Sequence, residues 1–269
     1  MFYFLKFLVW KNFLYQNISN YLTGLVYLLL QQNKSISFVI PCFNEEKRIK
    51  PLLSSIEKFQ EIHCHDYQFE FILVNDGSAD LTTDKICKHN LYRRNQIRYI
   101  SYKNNIGKGY ALKQGVLTSK KEWIITLDAD LSVSFIDAID IFNQSFSKND
   151  LVYFGSRNHK NSIVKKKFNR FLFGLILNKL LKNLLKINLS DTQCGFKIYH
   201  QSIIKNIFGN LMDYSFAHDI EIVLLCRKYN IHIKEIPVIW SHMTGSKVRV
   251  FFHGIKMLKS ILKFKKKFL

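Results

Sequence analysis

Acidic residues are missing from three long stretches of this 269-residue chain. Neither aspartate nor glutamate occurs in residues 1–44, 151–190 or 236–269. The whole chain holds 40 basic and 20 acidic residues, so its formal net charge is +20. Residues 1–34, 151–190 and 236–269 carry 3, 9 and 8 lysines or arginines, which together equal the whole excess. The sequence therefore predicts a neutral core with three cationic segments attached.

Motifs of several other protein classes are also absent. The five cysteines are odd in number and form no Cys-x-x-Cys pair, which favours reduced thiols in a cytosolic compartment. The loop G-x-x-x-x-G-K-[ST] does not occur, so the glycines near position 107 are not a Walker loop.

The N-terminal residues 1–34 lack a long apolar run. Their densest apolar stretch is Tyr21–Leu30, which is shorter than the roughly 20 residues that a membrane span needs. No small-residue cleavage site follows, so a secretory signal is not expected. We predict a membrane-associating segment that is packed or interfacial, with a single-span anchor as the alternative.

Residues 35–130 alternate between strand-like and helix-like patterns. The predicted strands are Ser35–Ile40, Phe69–Val74, Ile97–Ser101 and Trp123–Leu127. The predicted helices are Lys47–Gln60, a segment near Leu81–His89, and Lys108–Thr118. Strands separated by single helices indicate an α/β fold, with a mostly parallel, Rossmann-like sheet and helices on both faces.

The most informative motif is Asp128-Ala129-Asp130, directly after the fourth predicted strand. Its two carboxylates are hard oxygen ligands suited to Mg²⁺ or Mn²⁺ beside a phosphate-bearing ligand. An isolated Asp-x-Asp is also typical of caps and turns. Here it ends a series of strand–helix units, and ligands of such sheets bind beyond the carboxyl ends of the strands.

Polar segments follow the other three predicted strands. They are Pro41–Glu45, Asn75–Ser78 and Asn105–Gly109. Taken singly, Asn75–Ser78 could be a turn with a helix cap, and Gly107-Lys108-Gly109 could be a loop with a solvated lysine. Taken together, they predict one binding rim, where Lys108 and the following helix start suit a phosphate.

Longer stretches resemble family 2 glycosyltransferases of the GT-A fold. The resemblance is to the dolichyl-phosphate β-glucosyltransferase and dolichyl-phosphate mannosyltransferase branch, and it runs from about Ser35 to Lys247. The matching stretches are VIPCFNEEKRI (39–49), LVNDGSADLT (73–82), NNIGKGYALKQG (104–115), LDADLS (127–132), GSR (155–157), DTQCGFKIY (191–199), FAHDIEIVLL (216–225) and GSK (245–247).

The resemblance implies roles for individual residues. The nucleotide side would be held by Pro41, Asn44, Glu45, Asp76, Lys108 and Gly109. The metal would be held by Asp128 and Asp130, with Asp130 the more direct ligand. The acceptor phosphate would meet Arg157 and Arg170, and the sugar and acceptor side would be shaped by Asp191, Gln193 and Lys197. The catalytic set is then Asp128, Asp130, Arg157 and Asp191.

Two positions bear on the donor sugar. Ser132 stands where mannosyl-type enzymes commonly carry a glutamine, which disfavours mannose. His218 stands where glucosyl-type enzymes usually carry an aromatic residue, which leaves the donor open. We predict a metal-dependent, inverting hexosyltransferase that takes glucose from UDP-glucose to dolichyl or another polyprenyl phosphate. The alternatives are a GDP-mannose enzyme, a family 2 enzyme with a saccharide acceptor, and a membrane adaptor without turnover.

Two cationic segments have amphipathic spacing. The first is an insertion in the catalytic domain 35–247, at about residues 163–189, and the second is the tail 248–269. In the insertion Lys179, Lys182, Asn183 and Lys186 oppose Leu177, Leu180, Leu181, Leu184 and Leu185. In the tail Lys256, Lys259, Lys263, Lys266 and Lys267 are predicted to oppose Ile255, Leu258, Ile261 and Leu262.

Solvated lysines over ordinary core faces would give the same spacing. The absence of acids favours instead a membrane surface with anionic lipids, at the cytosolic face. Leucine-rich opposite faces suit acyl chains better than nucleic acid, which is not expected as a partner.

Overall fold

A seven-stranded sheet forms the centre of the protein. The computed structural model describes residues 35–63, 67–147, 150–164, 179–241 and 250–268. The sheet order is β3-β2-β1-β4-β7-β5-β8. Its strands are β1 (Ser35–Cys42), β2 (Gln68–Asn75), β3 (Arg98–Ser101), β4 (Trp123–Thr126), β5 (Val152–Gly155), β7 (Lys197–His200) and β8 (Ile233–Ile236), and the short β6 (Ile163–Val164) and β9 (Ile239–Trp240) pair separately.

The predicted parallel sheet is confirmed for the first half of the chain. Strand β1 is central, pairs in parallel with both β2 and β4, and is buried along nearly its whole length. Strand β7 runs antiparallel between β4 and β5, and β5 pairs in parallel with β8. Burial on both faces explains why the second halves of these strands, Phe38–Ile40 of β1 and Phe71–Val74 of β2, are continuous apolar runs.

Helices cover both faces of this sheet. They are α1 (Ile49–His63), α2 (Thr82–Cys87), α3 (Asn90–Arg93), α4 (Lys108–Thr118), α5 (Phe135–Ser145), α6 (Ile204–Ile207, after a 3-10 turn Gln201–Ile203), α7 (His218–Lys228) and α8 (Val250–Phe268). Residues 179–185 are helical as well. The N-terminal segment 1–34, most of the insertion and Arg170 lie outside the described residues.

Each face of the sheet has its own core cluster. Under α1 and α5, Phe38 packs with Phe59, Phe71 and Phe135 at ring-centroid distances of 5.1–5.5 Å. Complete burial of one such ring stabilises the fold by roughly 1.5–3 kcal/mol. The second cluster lies under α4, α6, α7, α8 and helical residues 179–185.

The predicted bounds differ from the observed ones in two informative places. Strand β1 continues through Pro41 to Cys42, which is possible because Pro41 lies beyond Val39, the last residue paired with β4. The helix predicted near Leu81–His89 is α2, and the unpredicted short helix α3 follows it, with the His89 side chain capping α3 by accepting from the Leu91 amide at 3.4 Å.

The C-terminal helix uses only part of its predicted apolar face to pack on the protein. Leu258 and Leu262 are 42% and 54% exposed, whereas Met257, Ile261 and Phe264 are buried in the second cluster. The helix meets the core along a row of residues with helical spacing, and the two leucines fall beside that row.

The described end of the insertion also packs on the second cluster. Leu181, Leu185 and Ile187 are buried, and the Arg227 guanidinium donates to the Leu185 carbonyl at 2.8 Å. Lys179, Lys182 and Lys186 remain exposed. Within the described parts of the chain, every helix is too short or too polar to cross a bilayer.

Candidate active site

The carboxyl end of β4 carries the two aspartates that the sequence singled out. Asp128 and Asp130 are both partly exposed, and the Ala129 between them is buried. One oxygen of Asp130, Oδ1, accepts from the Ser132 amide at 3.0 Å and from the Ser132 hydroxyl at 2.5 Å. Ser132 therefore orients the Asp130 carboxylate.

Asp128 forms an ion pair with Lys108, the first residue of α4. The Lys108 Nζ lies 2.6 Å from Asp128 Oδ1. Burial disfavours charge on both groups, yet their attraction prevails. The pKa of Lys108 is raised because Asp128 and Asp219 outweigh its burial. The pKa of Asp128 is lowered because Lys108, with help from Lys197, outweighs its burial.

Gly195 makes room for the Asp128 carboxylate. A Cβ atom built at position 195 would lie 2.5 Å from Asp128 Cγ and 2.8 Å from Oδ1, which is too close for real atoms. The turn before β7 therefore reaches Asp128 because its residue has no side chain.

The donor set of this aspartate pair fits a divalent ion that arrives with its ligand. Carboxylate oxygens are what Mg²⁺ prefers, and such ions often use one or two carboxylates, with phosphate and water as the other ligands. Among the described residues, no cluster of three His, Cys, Asp or Glu side chains could enclose a metal. The residues present therefore suit a phosphate-bound ion better than a fully enclosed structural one.

Asp76 holds the loop that leads into α4. Its carboxylate accepts from the side-chain amide of Asn105 at 2.7 Å and from the backbone amides of Ile106 and Gly107, both at 2.9 Å. Gly107 has φ 134°, a conformation that favours glycine. Asp76 thus fixes the backbone that presents Lys108 and Gly109.

The end of β1 is tied to the end of β2. Asn44 has φ 53°, and its backbone amide donates to the Ser78 hydroxyl at 2.8 Å. Its side-chain oxygen accepts from the Ala79 amide at 2.8 Å, and the Glu45 amide donates to the Thr82 hydroxyl at 2.7 Å. These bonds place Pro41, Asn44 and Glu45 beside Asp76 on one rim.

Arg48 is a site residue to which the sequence analysis gave no role. Its guanidinium makes two bonds to the buried Glu45 carboxylate, at 2.5 Å and 2.7 Å. Burial lowers its pKa, but Glu45, Asp130 and Asp128 together raise it. The positive charge of Arg48 is therefore felt by both aspartates of the β4 end.

Arg157 and Asp191 form a second buried ion pair. Arg157 Nε and Nη2 donate to the two Asp191 oxygens at 2.7 Å and 2.8 Å, and the Arg157 amide adds a bond of 3.0 Å. Burial opposes the charge of both, but their mutual bonds raise the pKa of Arg157 and lower that of Asp191. The charge of Asp128 also raises the pKa of Arg157, so the two ion pairs are within electrostatic reach.

Neighbouring groups hold this second pair in place. The Arg157 guanidinium lies 5.7 Å from the centre of the Trp240 ring, a cation–π distance. Glu235 on β8 accepts from the Ser190 amide at 2.9 Å and from the Asp191 amide at 3.2 Å. Neither Trp240 nor Glu235 lies in a stretch that the sequence analysis quoted, so no local signal pointed to them.

Lys197 lies beneath the site. It is 3% exposed, and its Nζ is 2.8 Å from Asp219 Oδ1 and 4.9 Å from the Phe154 ring centre. His218 Nε2 is 3.1 Å from the same Asp219 oxygen, and burial of Asp219 is outweighed by His218 and Lys197, which lower its pKa. Lys197, which the sequence analysis placed on the acceptor side, is therefore buried against Asp219 below the surface.

Two neighbours of Asp191 differ in their suitability for chemistry. The amide nitrogen of the Gln193 side chain is buried and has no hydrogen-bond partner among the described residues, so one donor beside Asp191 is unsatisfied. Burial raises the pKa of the Cys194 thiol to about 11, which excludes it as a nucleophile at neutral pH.

Comparison with known proteins agrees with this geometry. The protein-family model described as "Glycosyl transferase family 2" matches residues 37–208. A dolichyl-phosphate beta-glucosyltransferase of Dictyostelium discoideum is 32% identical over 247 residues, covering 88% of this chain and 76% of that protein. A Homo sapiens protein of the same name is 32% identical over 241 residues, covering 85% and 74%.

Solved structures confirm the GT-A fold. Glucosyl-3-phosphoglycerate synthase from Mycobacterium tuberculosis, in complex with Mn²⁺, UDP and glucosyl-3-phosphoglycerate, matches with a TM-score of 0.65 and 15% identity, covering 86% of this chain and 79% of that one. Its complex with Mn²⁺, UDP-glucose and phosphoglyceric acid matches with a TM-score of 0.62, covering 87% and 80%.

At 15% identity these structures establish the fold, while the curated relatives establish the family. The chain belongs to glycosyl transferase family 2, in the branch of the dolichyl-phosphate glucosyltransferases.

Proposed function

We propose that the protein transfers glucose from UDP-glucose to dolichyl phosphate or another polyprenyl phosphate. The observation that carries this proposal is the 32% identity to two dolichyl-phosphate beta-glucosyltransferases over 85–88% of the chain. The paired carboxylates and the partly exposed Arg157 supply the two kinds of charge that such a transfer needs.

The donor side is built around Asp128 and Asp130. These two carboxylates would hold a divalent cation, Mg²⁺ or Mn²⁺, and when bound it would stabilise negative charge on the departing diphosphate. Lys108 adds a positive charge at the start of α4, whereas the Gly107 and Gly109 amides there are already bonded within the protein. Pro41, Asn44, Glu45 and Asp76 line the rim on which the nucleotide would lie, and Gly109 allows close packing of α4 there.

The acceptor side is built around Arg157. A phosphate monoester has a second pKa of roughly 6, so it is mostly a dianion at neutral pH and needs no strong base to become a nucleophile. It needs positive charge, which Arg157 supplies, and we assign Arg170 and Gln193 to the same side. Asp191 accepts four hydrogen bonds, three of them from Arg157, and therefore positions that guanidinium.

The stereochemistry follows from a single displacement. Attack by the acceptor phosphate on the face opposite the departing diphosphate inverts the anomeric carbon, so an α-linked donor gives a β-linked product. Lys197, held by Asp219 beneath this end of the site, contributes positive charge without contacting the acceptor.

A donor panel tests the proposed function. Purified protein is incubated with polyprenyl phosphate and labelled UDP-glucose, GDP-mannose or UDP-galactose, with and without Mn²⁺. We expect label from UDP-glucose to enter the organic phase as a mild-acid-labile lipid. Preferential transfer from GDP-mannose would contradict the choice of sugar, and a water-soluble product would contradict the choice of acceptor.

We also propose that the enzyme works at the cytosolic face of a membrane, on anionic lipid. Exposed lysines of helical residues 179–185 and of α8 supply the positive charge, and both helices pack on the same core cluster. Leu258 and Leu262, exposed on α8, add apolar contact area. The same proposal includes residues 1–34 as a membrane-associating segment, either an interfacial helix or a single span.

Replacing Lys259, Lys263 and Lys266 together by glutamine should weaken binding to anionic vesicles roughly 100-fold, because each basic residue near such a surface contributes to binding. The three side chains are exposed, so the fold should not change. Vesicle flotation measures the effect. The matched control replaces the exposed Lys58, Lys88 and Lys120 in the same way. An equal loss of vesicle binding in this control would contradict the assignment of the α8 lysines to the membrane surface.

A further inference from the structure

The C-terminal helix reaches the donor side through a buried glutamate. Glu221 on α7 has a fully buried side chain, and its Oε1 is 3.0 Å from Lys267 Nζ on α8. A buried carboxylate needs such a partner, because an unpaired charge away from water is strongly unfavourable. Lys267 is 42% exposed, so a lysine at the surface of α8 contacts a carboxylate in the protein interior.

The same glutamate fixes the loop before α7. Glu221 Oε2 accepts from the backbone amides of Met212 and Asp213 at 2.9 Å and 2.6 Å. Helix α8 makes a second connection to this loop, because the Ser260 hydroxyl donates to Asp213 Oδ2 at 2.6 Å. The loop is therefore held from α8 at two points.

This loop in turn packs against the start of α4. The Gly109 amide donates to the Tyr214 carbonyl at 3.0 Å, and a Cβ atom at position 109 would lie 2.6 Å from the Asp213 carbonyl oxygen. Lys113, one turn further along α4, donates to the Leu211 carbonyl at 2.9 Å. The Gly107–Gly109 segment is thus clamped between Asp76 on one side and this loop on the other.

We propose that Glu221 and Lys267 are positioning residues that set the placement of Lys108 through the 211–215 loop. Docking of α8 then completes the donor side, so the helix that carries the lysines assigned to the membrane also determines the geometry of the Lys108–Asp128 pair. The effect on catalysis rests on the proposed function, whereas the effect on the loop does not.

The test compares two neighbouring lysines on the full-length protein. Lys267→Gln removes the partner of Glu221, and Lys265→Gln removes the same charge from an exposed position of the same helix. We expect Lys267→Gln to speed hydrogen exchange of the Gly109 amide about fivefold to tenfold, because the loop that accepts from this amide is held less firmly. It should raise the KM for UDP-glucose by a similar factor with little change in the KM for polyprenyl phosphate in detergent.

A rescue variant separates positioning from general destabilisation. Glu221→Gln combined with Lys267→Gln removes both charges, and the new amide oxygen can still accept from Met212 and Asp213. Exchange at Gly109 should return to within about twofold of the wild-type rate. Ser260→Ala, a milder change, should show the same pattern as Lys267→Gln to a smaller degree.

Equal Gly109 exchange in Lys267→Gln and Lys265→Gln would overturn the proposal. Slower transfer by Lys267→Gln with an unchanged KM for UDP-glucose would also overturn it. If no donor is used but Gly109 exchange still differs between the two variants, the coupling stands and the proposed function fails.

Discussion

Replacement of Asp130 by asparagine is expected to reduce glucosyl transfer about 10²–10³-fold, because charge on the departing diphosphate loses its main stabilisation. Asparagine has the same shape, and its oxygen can still accept from the Ser132 amide and hydroxyl, which now bond to Asp130 Oδ1 at 3.0 Å and 2.5 Å. Folding should therefore be preserved. Initial rates across a Mn²⁺ titration, together with thermal unfolding, measure both effects.

The control for this variant is Asp137→Asn. Asp137 lies at the start of the next helix, where it pairs with the Ser134 cap at 2.6 Å. Its replacement removes an equal charge close by in sequence and should leave the rate within about twofold, since a surface substitution of this kind has a small effect. Full activity of Asp130→Asn without divalent ions would contradict the role assigned to the aspartate pair.

Replacement of Arg157 by alanine is expected to have two large effects. The KM for polyprenyl phosphate should rise about 10- to 100-fold, because a charge-assisted contact is lost, while the KM for UDP-glucose changes little. The free energy of unfolding should fall by on the order of 2 kcal/mol, less than for a fully buried pair because Arg157 is 27% exposed. Arg157→Lys keeps the charge but not the two-bond geometry, and should be intermediate.

The stability loss should depend on pH in a defined direction. Arg157 lowers the pKa of Asp191 below its ordinary 3.8. A lowered carboxylate pKa stabilises the fold above the unfolded-state value and loses that contribution as the pH falls through the folded-state value. The difference in unfolding free energy between wild type and Arg157→Ala should therefore be largest near neutral pH and shrink below about pH 4.

Arg98→Ala serves as the control for Arg157→Ala. Arg98 pairs with Glu70 at 3.3 Å on the β3 side of the sheet, and its loss should leave both KM values unchanged. An acceptor KM that is the same in wild type and Arg157→Ala would show that another group receives the lipid phosphate.

Much of the first half of the fold could be predicted from local pattern. The alternation of apolar strand runs with helical spacing located β1 to β4 and helix Lys108–Thr118, because parallel strands buried on both faces leave that signal. The order of the remaining strands was not predictable in this way. Strand β7 enters between β4 and β5 as an antiparallel strand, a choice made by long-range packing that no local motif encodes.

The site residues that directly follow a strand end were predictable from the sequence. The residues that affect the site only through their contacts with those residues were less predictable. Asp128, Asp130 and Asp76 stand at such ends, and the structure brings all three to the rim. The partners that set their charge were harder to find: Arg48 and Asp219 lie inside quoted motifs without a distinguishing pattern. The side of α8 that packs on the core was not predictable, because apolar residues on two adjacent rows of a helix do not reveal which row the core selects.

Gly195 bears on how sequence variants of this protein should be interpreted. Its α-carbon lies against a carboxylate, so even one added methyl group would displace Asp128, while the surrounding backbone is not in a conformation restricted to glycine. A variant with alanine there is expected to keep its fold but to hold the Asp128 carboxylate in a different place, so transfer would fall in protein of ordinary abundance. Measurements of protein abundance alone would therefore miss its effect.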